Sequence, residues 1–239
     1  MAIALDGYSQ IASDTGSPPY TLNHTCGGVQ RLLVLVFSGI RLVATSWGPV
    51  NVTYNGIAMT LQATAEEIGN SRAVRTSVYT LVNPPAGASY QASVTTGGVT
   101  VHWSMSLISL TGVDQTTPTG ATGADNGNKS GYSASLTTSV PSAWLIGGAG
   151  IRNGTLNWTP GSGVTELFEH TTGSSSTDDL TGCVVYRACT SAGLYTLDAT
   201  ASGSNRGALG AVEIKPAAAA PAAWFGAELV APAAGMWMF

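Results

Sequence analysis

The residues able to do chemistry in this chain are few: three histidines, three cysteines and a handful of acidic pairs. His24 and Cys26 lie two apart, so one face of a strand would carry both, and together they could form a fragment of a metal site. Zinc takes three or four ligands at recognisable spacing, and no second cluster accompanies the pair. Glu166 and His170 fall in a strand-like stretch whose alternation would set carboxylate and imidazole on one face. Nucleophilic catalysis would also require a Ser, Thr or Cys activated by that base. No Gly-x-Ser-x-Gly turn presents such a nucleophile, and His102, beside Trp103, has no motif around it. Glycoside hydrolysis needs two carboxyl groups across a cleft, whereas Glu66-Glu67 and Asp178-Asp179 are adjacent pairs in expected loops. Asp178 and Asp179 could join loop carbonyls around calcium, yet no loop signature marks such a site. Cys183 and Cys189 share one expected strand at a separation of about 20 Å, too far for a disulfide. With Cys26 they read as buried free thiols. The chain is therefore expected to be no enzyme and to hold no metal or cofactor.

The elements that would position these residues are strands. Apolar and polar residues alternate with period two over 20–25, 32–44, 50–54 and 57–64, and Asn55-Gly56 supplies a type I′ turn between the last two. Further strands are expected over 74–82, 90–95, 99–110, 132–138, 143–151, 155–159, 164–171, 182–190, 194–200 and 208–215. Asn83-Pro84-Pro85-Ala86-Gly87 is a break, because proline removes main-chain donors and glycine lets the chain reverse. Residues 116–131 and 173–179, rich in Thr, Gly, Ser, Asn and Asp, read as surface loops. No 3.6-residue apolar period precedes residue 216, and no internal repeat is evident. Many short strands with turn signals between them imply an all-β fold, a two-sheet antiparallel sandwich or jelly roll.

Composition narrows the function. Hydrophobic residues make up 44% of the 239 and charged residues 9%, against about 25% charged in an average globular chain. A surface built from Thr, Ser, Gly, Asn and Ala suits lasting contact with neighbouring subunits. Nine cations scattered along a chain of net charge −4 make no phosphate-neutralising cluster, which excludes nucleic acid as a partner. No uncharged apolar run approaches the roughly 20 residues of a membrane span. Residues 1–20 have neither a basic n-region nor an apolar h-region, so the chain is expected to be made in a cytosol and to stay there, or to leave it by assembly, lysis or a non-classical route.

Residues 1–215 form the expected sandwich domain, 216–223 a Pro/Ala linker that favours extended backbone, and 224–239 an extended apolar C-terminal tail. The tail carries Trp224, Phe225, Leu229, Val230, Met236, Trp237, Met238 and Phe239. Chain ends are normally polar and frayed, and each aromatic can bury about 150–250 Å². The spacer before these residues points to docking on another subunit, with folding back on the domain as the competing arrangement. Trp47, Trp144 and Trp158 could instead stack on sugar rings, although tryptophans in sandwiches are more often core.

Several stretches taken in order resemble a known domain: Arg31-Leu32-Leu33-Val34; 52–61, running Val-Thr-Tyr-Asn-Gly-Ile-Ala-Met-Thr-Leu; 79–87, ending Pro84-Pro85-Ala86-Gly87; 109–118, with Thr111-Gly112-Val113-Asp114-Gln115; and Ala211-Val212-Glu213-Ile214-Lys215-Pro216. Together they are similar to a jelly-roll or concanavalin-like β-sandwich found in tailed-phage virion structural proteins and in bacterial surface proteins. The resemblance implies a fold and a setting, and it supplies no catalytic residues. It leads to the expectation of a virion protein, a capsid decoration or tail accessory subunit that binds phage capsid or tail proteins. Such a protein would be a homo-oligomer, with a trimer among the natural arrangements. The alternative is a carbohydrate-binding or host-adhesion module that takes a surface glycan.

Overall fold

In the computed structural model, which describes residues 2–69, 71–173 and 177–218, the chain folds as antiparallel β-sheets stacked face to face, with no helix among the described residues. The first half contributes β1 (Ala4–Ser13), β2 (Tyr20–Thr25), β3 (Leu32–Arg41), β4 (Asn51–Tyr54), β5 (Ile57–Ala58), β6 (Thr60–Ile68), β7 (Ala73–Val82), β8 (Ser89–Thr95) and β9 (His102–Thr111). They form one sheet in the order β1-β9-β3-β7-β6 and a second in the order β2-β8-β4-β5. The unbroken apolar run of β3 reflects burial on both faces. Leu33, Leu35 and Phe37 meet Tyr20, Val52, Tyr54 and Val94 of the second sheet, while Leu32, Val34 and Val36 point the other way.

The second half repeats this plan. It contributes β10 (Thr119–Thr138), β11 (Trp144–Arg152), β12 (Trp158–Pro160), β13 (Thr165–Thr171), β14 (Leu180–Ala188) and β15 (Gly193–Ile214). The long partners β10 and β15 slip register between Lys129 and Gly131 and fold over there. The first half of β10 and the last half of β15 lie in a sheet with β11, β14 and β13. Their other halves, with β12, form a layer whose Tyr132, Ala134, Leu136, Trp158, Leu197 and Ala199 pack on Leu145, Ala149, Cys183, Val185 and Leu209. Tyr132 Oη pins the corner, 2.7 Å from Asn205 O and 3.0 Å from Gly127 O and Lys129 O.

The two halves correspond strand for strand. The order β10-β15-β11-β14-β13 matches β1-β9-β3-β7-β6, and the folded-over layer matches β2, β8 and β4. Even the irregularities recur. The β6–β7 ladder slips between Leu61 and Ala63, opposite Tyr79 and Val78, and the β13–β14 ladder slips between Glu166 and Phe168, opposite Val185 and Val184. This alignment makes Leu35 equivalent to Gly147, Tyr79 to Val185, and Leu61 to Glu166. The sandwich expected from the sequence is therefore present twice, and the reading that found no internal repeat is corrected. Equivalent positions keep their facing but not their residue type, which hides the repeat from a search for similar letters.

The halves meet through a pseudo-twofold axis that runs along β3 and β11. Tyr8 of β1 stacks on Phe168 of β13 with ring centroids 5.4 Å apart. At the opposite margin, Asn126 of β10 donates to Glu66 O of β6 at 2.9 Å. Between them Leu32, Val34, Val36, Val78, Ile108 and Leu110 pack on Ile146, Val184, Val212 and Ile214. On the axis the equivalent residues Val36 and Gly148 face each other, and a Cβ on Gly148 would stand 2.7 Å from Val36 Cγ1. Towards the far end Thr76 Oγ1 donates to Ala208 O at 3.0 Å, and Asp178 accepts from both Arg72 and Arg152 at 2.7 and 3.1 Å.

Several local expectations change, among them the loop expected at Glu66 and Glu67, which lie in β6. Residues 119–131 are strand rather than loop, because β10 there is an outer strand held by main-chain pairing to β15, with no buried side chain to announce it. Strand β1 went unread for the same reason. The two strands expected over 194–200 and 208–215 are one continuous β15.

Candidate functional site

Each chemically capable residue is held in a structural arrangement. Cys26, Cys183 and Cys189 are free and buried, and burial pushes all three thiols up, away from the reactive thiolate. His24 Nδ1 lies 2.9 Å from Ser9 Oγ, and Tyr54 Oη donates to His24 O at 2.8 Å. Among the described residues no three His, Cys, Asp or Glu side chains converge as ligands. The expected Glu166–His170 face is corrected by the bulge between Glu166 and Phe168, which reverses the alternation. Glu166 consequently points to the same side as Val185, and His170 points to the opposite side, towards Gly182 and Ser104.

Both ring nitrogens of His170 are buried without a hydrogen-bond partner among the described residues, although an edge of the residue reaches the surface. Burial pushes its pKa down from 6.5 to about 4. The fold thus favours neutral imidazole, so stability from this site is complete above about pH 6.5 and is lost as the pH falls towards 4. A displacement of this size corresponds to roughly 3 kcal/mol. His170→Leu should retain more of its neutral-pH stability at pH 4 than the parent does, as read from urea midpoints at pH 7 and pH 4. Equal acid losses in the two chains would assign the effect to other groups.

The tryptophans correct a second expectation. Trp47 and Trp158 are each only 5% exposed and make similar hydrogen bonds from positions that are not equivalent in the two halves. The main-chain N–H of Trp47 donates to Glu66 at 3.0 Å and that of Trp158 to Glu169 at 2.9 Å. Their indole N–H groups donate to Ala73 O and Thr181 O at 3.3 and 3.4 Å. These are core residues, not sugar platforms. Glu66 also accepts from Ser46 and Arg75. Burial opposes its charge, but these bonds together hold its carboxyl below the usual range. Trp144 is partly exposed and stacks on Tyr186 at 4.7 Å.

The tail residues Trp224, Phe225, Leu229, Val230, Met236, Trp237, Met238 and Phe239 lie outside the described residues. Their point of departure is described. Pro216 pairs with Val113, and Ala217 donates to Gly112 O at 2.8 Å, so the chain leaves the pseudo-twofold axis between the two halves. A depression of about 520 Å³ lies beside this exit, bounded by Ala2, Asp114, Val140, Pro141 and Ala218.

A second concavity, which sequence reasoning missed, lies where the two sheets of the first half leave their margins open. Strand β5 ends one sheet and β6 ends the other. Between them a groove of about 350 Å³ is lined by Pro49, Val50, Val52, Met59, Leu61 and Tyr79. Val52, Met59 and Tyr79 form a buried floor, whereas Val50 and Leu61 are 69% and 48% exposed, and Ile57 on the adjoining hairpin is 45% exposed. The only sequence signal was the apolar character of 57–61 beyond the Asn55-Gly56 turn, where outward positions of a half-buried strand should be polar. Among the described residues no helix is long and apolar enough to cross a membrane. No protein-family model matches this chain, and comparison with curated proteins and with solved structures yields no match.

Proposed function

We propose that this chain is a structural subunit of a bacteriophage virion, a capsid decoration or tail accessory protein that acts by binding neighbouring subunits rather than by catalysis. The observation that carries the reading is the groove at the open margin of the first sandwich, in a chain whose residues 224–239 are rich in aromatic side chains. A surface poor in charge, over two sandwiches packed through a shared core, suits a subunit that adds buried area to an assembly. The resemblance of 31–34, 52–61, 79–87, 109–118 and 211–216 to phage virion sandwiches supports the same setting. Synthesis in the host cytoplasm and residence in the virion follow from it. Quantitative mass spectrometry of particles banded on a density gradient tests the proposal. The expected result is many copies per particle, and abundance in the lysate with absence from banded particles would contradict it.

Adhesion to a surface glycan is the second reading, and it rests on the partly exposed Trp144–Tyr186 stack. Trp144→Ala should then abolish glycan binding, and a glycan array empty for the parent chain would remove the reading.

A further inference from the structure

We infer that the groove of Val50, Met59, Leu61 and Tyr79 is the acceptor for the C-terminal segment 224–239 of a second copy of this chain. The inference rests on the reading of the protein as an assembling subunit, and it names the partner surface. Four observations carry it. The groove has a floor of Val52, Met59 and Tyr79, a rim in which the exposed Val50 and Leu61 stand beside the polar Asn51, and no charged residue among those lining it. The segment 224–239 matches it chemically, with a single charged residue, Glu228, among its aromatic and aliphatic side chains. The free margins of β5 and β6 border the groove, so an extended segment finds main-chain donors and acceptors as well as apolar contact. Finally, residues 219–223 span at most about 17 Å when extended, enough to carry the segment clear of its own exit at Ala218.

The internal repeat sharpens the inference. The position equivalent to Leu61 in the second half is Glu166, whereas that of Met59 is the buried Val164, so the two margins differ in charge at the rim rather than in the apolar floor. A segment whose one charged side chain is the acidic Glu228 would therefore favour the first-half groove over its counterpart beside Glu166. One donor segment and one acceptor groove on different parts of the surface make a contact that closes into a ring, a reciprocal exchange dimer being the smallest, or extends as a filament.

The test uses the full chain. Leu61→Glu places at the groove the residue that the second half already carries at its equivalent position, and the side chain is half exposed, so folding should be retained. Val50→Glu is the second variant. Self-association measured by light scattering should weaken at least about tenfold in each. A photo-cross-linking residue at position 61, in a mixture of isotopically light and heavy chains, should capture peptides from 224–239 of the other chain. Capture of the same chain's own segment would overturn the inference. So would unchanged association of both variants while removal of 219–239 abolishes it, which leaves the assembling role intact with a different acceptor. If neither the groove variants nor removal of 219–239 changes association, the inference and the self-assembly reading fall together.

Discussion

Gly148→Val is expected to abolish stable folding or to lower the Tm by roughly 10 °C or more. A Cβ at this position would stand 2.7 Å from both Cys183 O and Val36 Cγ1, closer than atoms of these kinds approach. The first contact is main chain of the neighbouring strand, and the second is a knob from the other half, so neither can move without opening a sheet or separating the halves. Overpacking of a core commonly costs about 1–3 kcal/mol. Here two rigid neighbours are opposed at once, which places the expected cost at or above the top of that range. Val36→Ala alone should cost about 1–3 kcal/mol by leaving the hole beside Gly148 unfilled. Combined with Gly148→Ala, it should be less harmful than the sum of the single changes. Additive effects in that cycle would mean that the two residues do not meet across the pseudo-twofold axis.

Glu213→Ala should destabilise by about 2–4 kcal/mol, read from urea midpoints. Glu213 is fully buried, and its carboxylate accepts from Ser139 N at 2.7 Å, Ser139 Oγ at 3.0 Å and Ala121 N at 2.9 Å. It therefore ties β15 both to the irregular start of β10 and to the turn that leaves β10's far end. Removing the carboxylate takes the acceptor from Ala121 N–H, on a half-buried residue, and from Ser139 N–H, on an exposed one, while the relief of burying a charge offsets part of the loss. Glu213→Gln should fall between, since half of its amide would present a donor to donors. The first half solves the same problem from the opposite strand: Asp6 of β1 accepts from Gly27 N at 2.7 Å and from Ser109 Oγ at 2.8 Å. Ser109 and Glu213 occupy equivalent positions, as do Gly27 and Ser139. An unchanged urea midpoint for Glu213→Ala would show that these bonds are replaced by water at no cost.

Strands buried on at least one face were legible in the sequence. The apolar runs over 32–41, 73–82 and 143–151 follow directly from burial, and Asn55 and Gly56 take the positive φ values of 50° and 74° that the hairpin signal predicts. What stayed hidden has physical causes. Strands β1 and the first half of β10 pair by main chain at sheet margins and bury no side chain, so they carry no apolar period. The repeat was concealed because each half fills its core differently. Phe37 and Trp103 of the first half stand where the second has Ala149 and Gly207, and Tyr132 occupies the space that a side chain on Gly207 would need. The separation of Glu166 from His170 depends on one bulge, which no pattern of letters marks. The burial of Trp47 and Trp158 depends on carboxylates from a different strand, so only the fold could assign them to the core. The groove was invisible because Val50, Met59 and Leu61 come together only when two sheet margins are stacked.

The proposal is that this chain is an assembling subunit whose segment 224–239 holds a neighbour. The most direct test is light scattering on the full chain beside a chain ending at Ala218, which keeps the Val113–Pro216 pairing and the Ala217–Gly112 hydrogen bond. The full chain is expected to be an oligomer, and the shortened one a folded single-chain species with an undiminished thermal transition. Identical monomers of equal stability would contradict it.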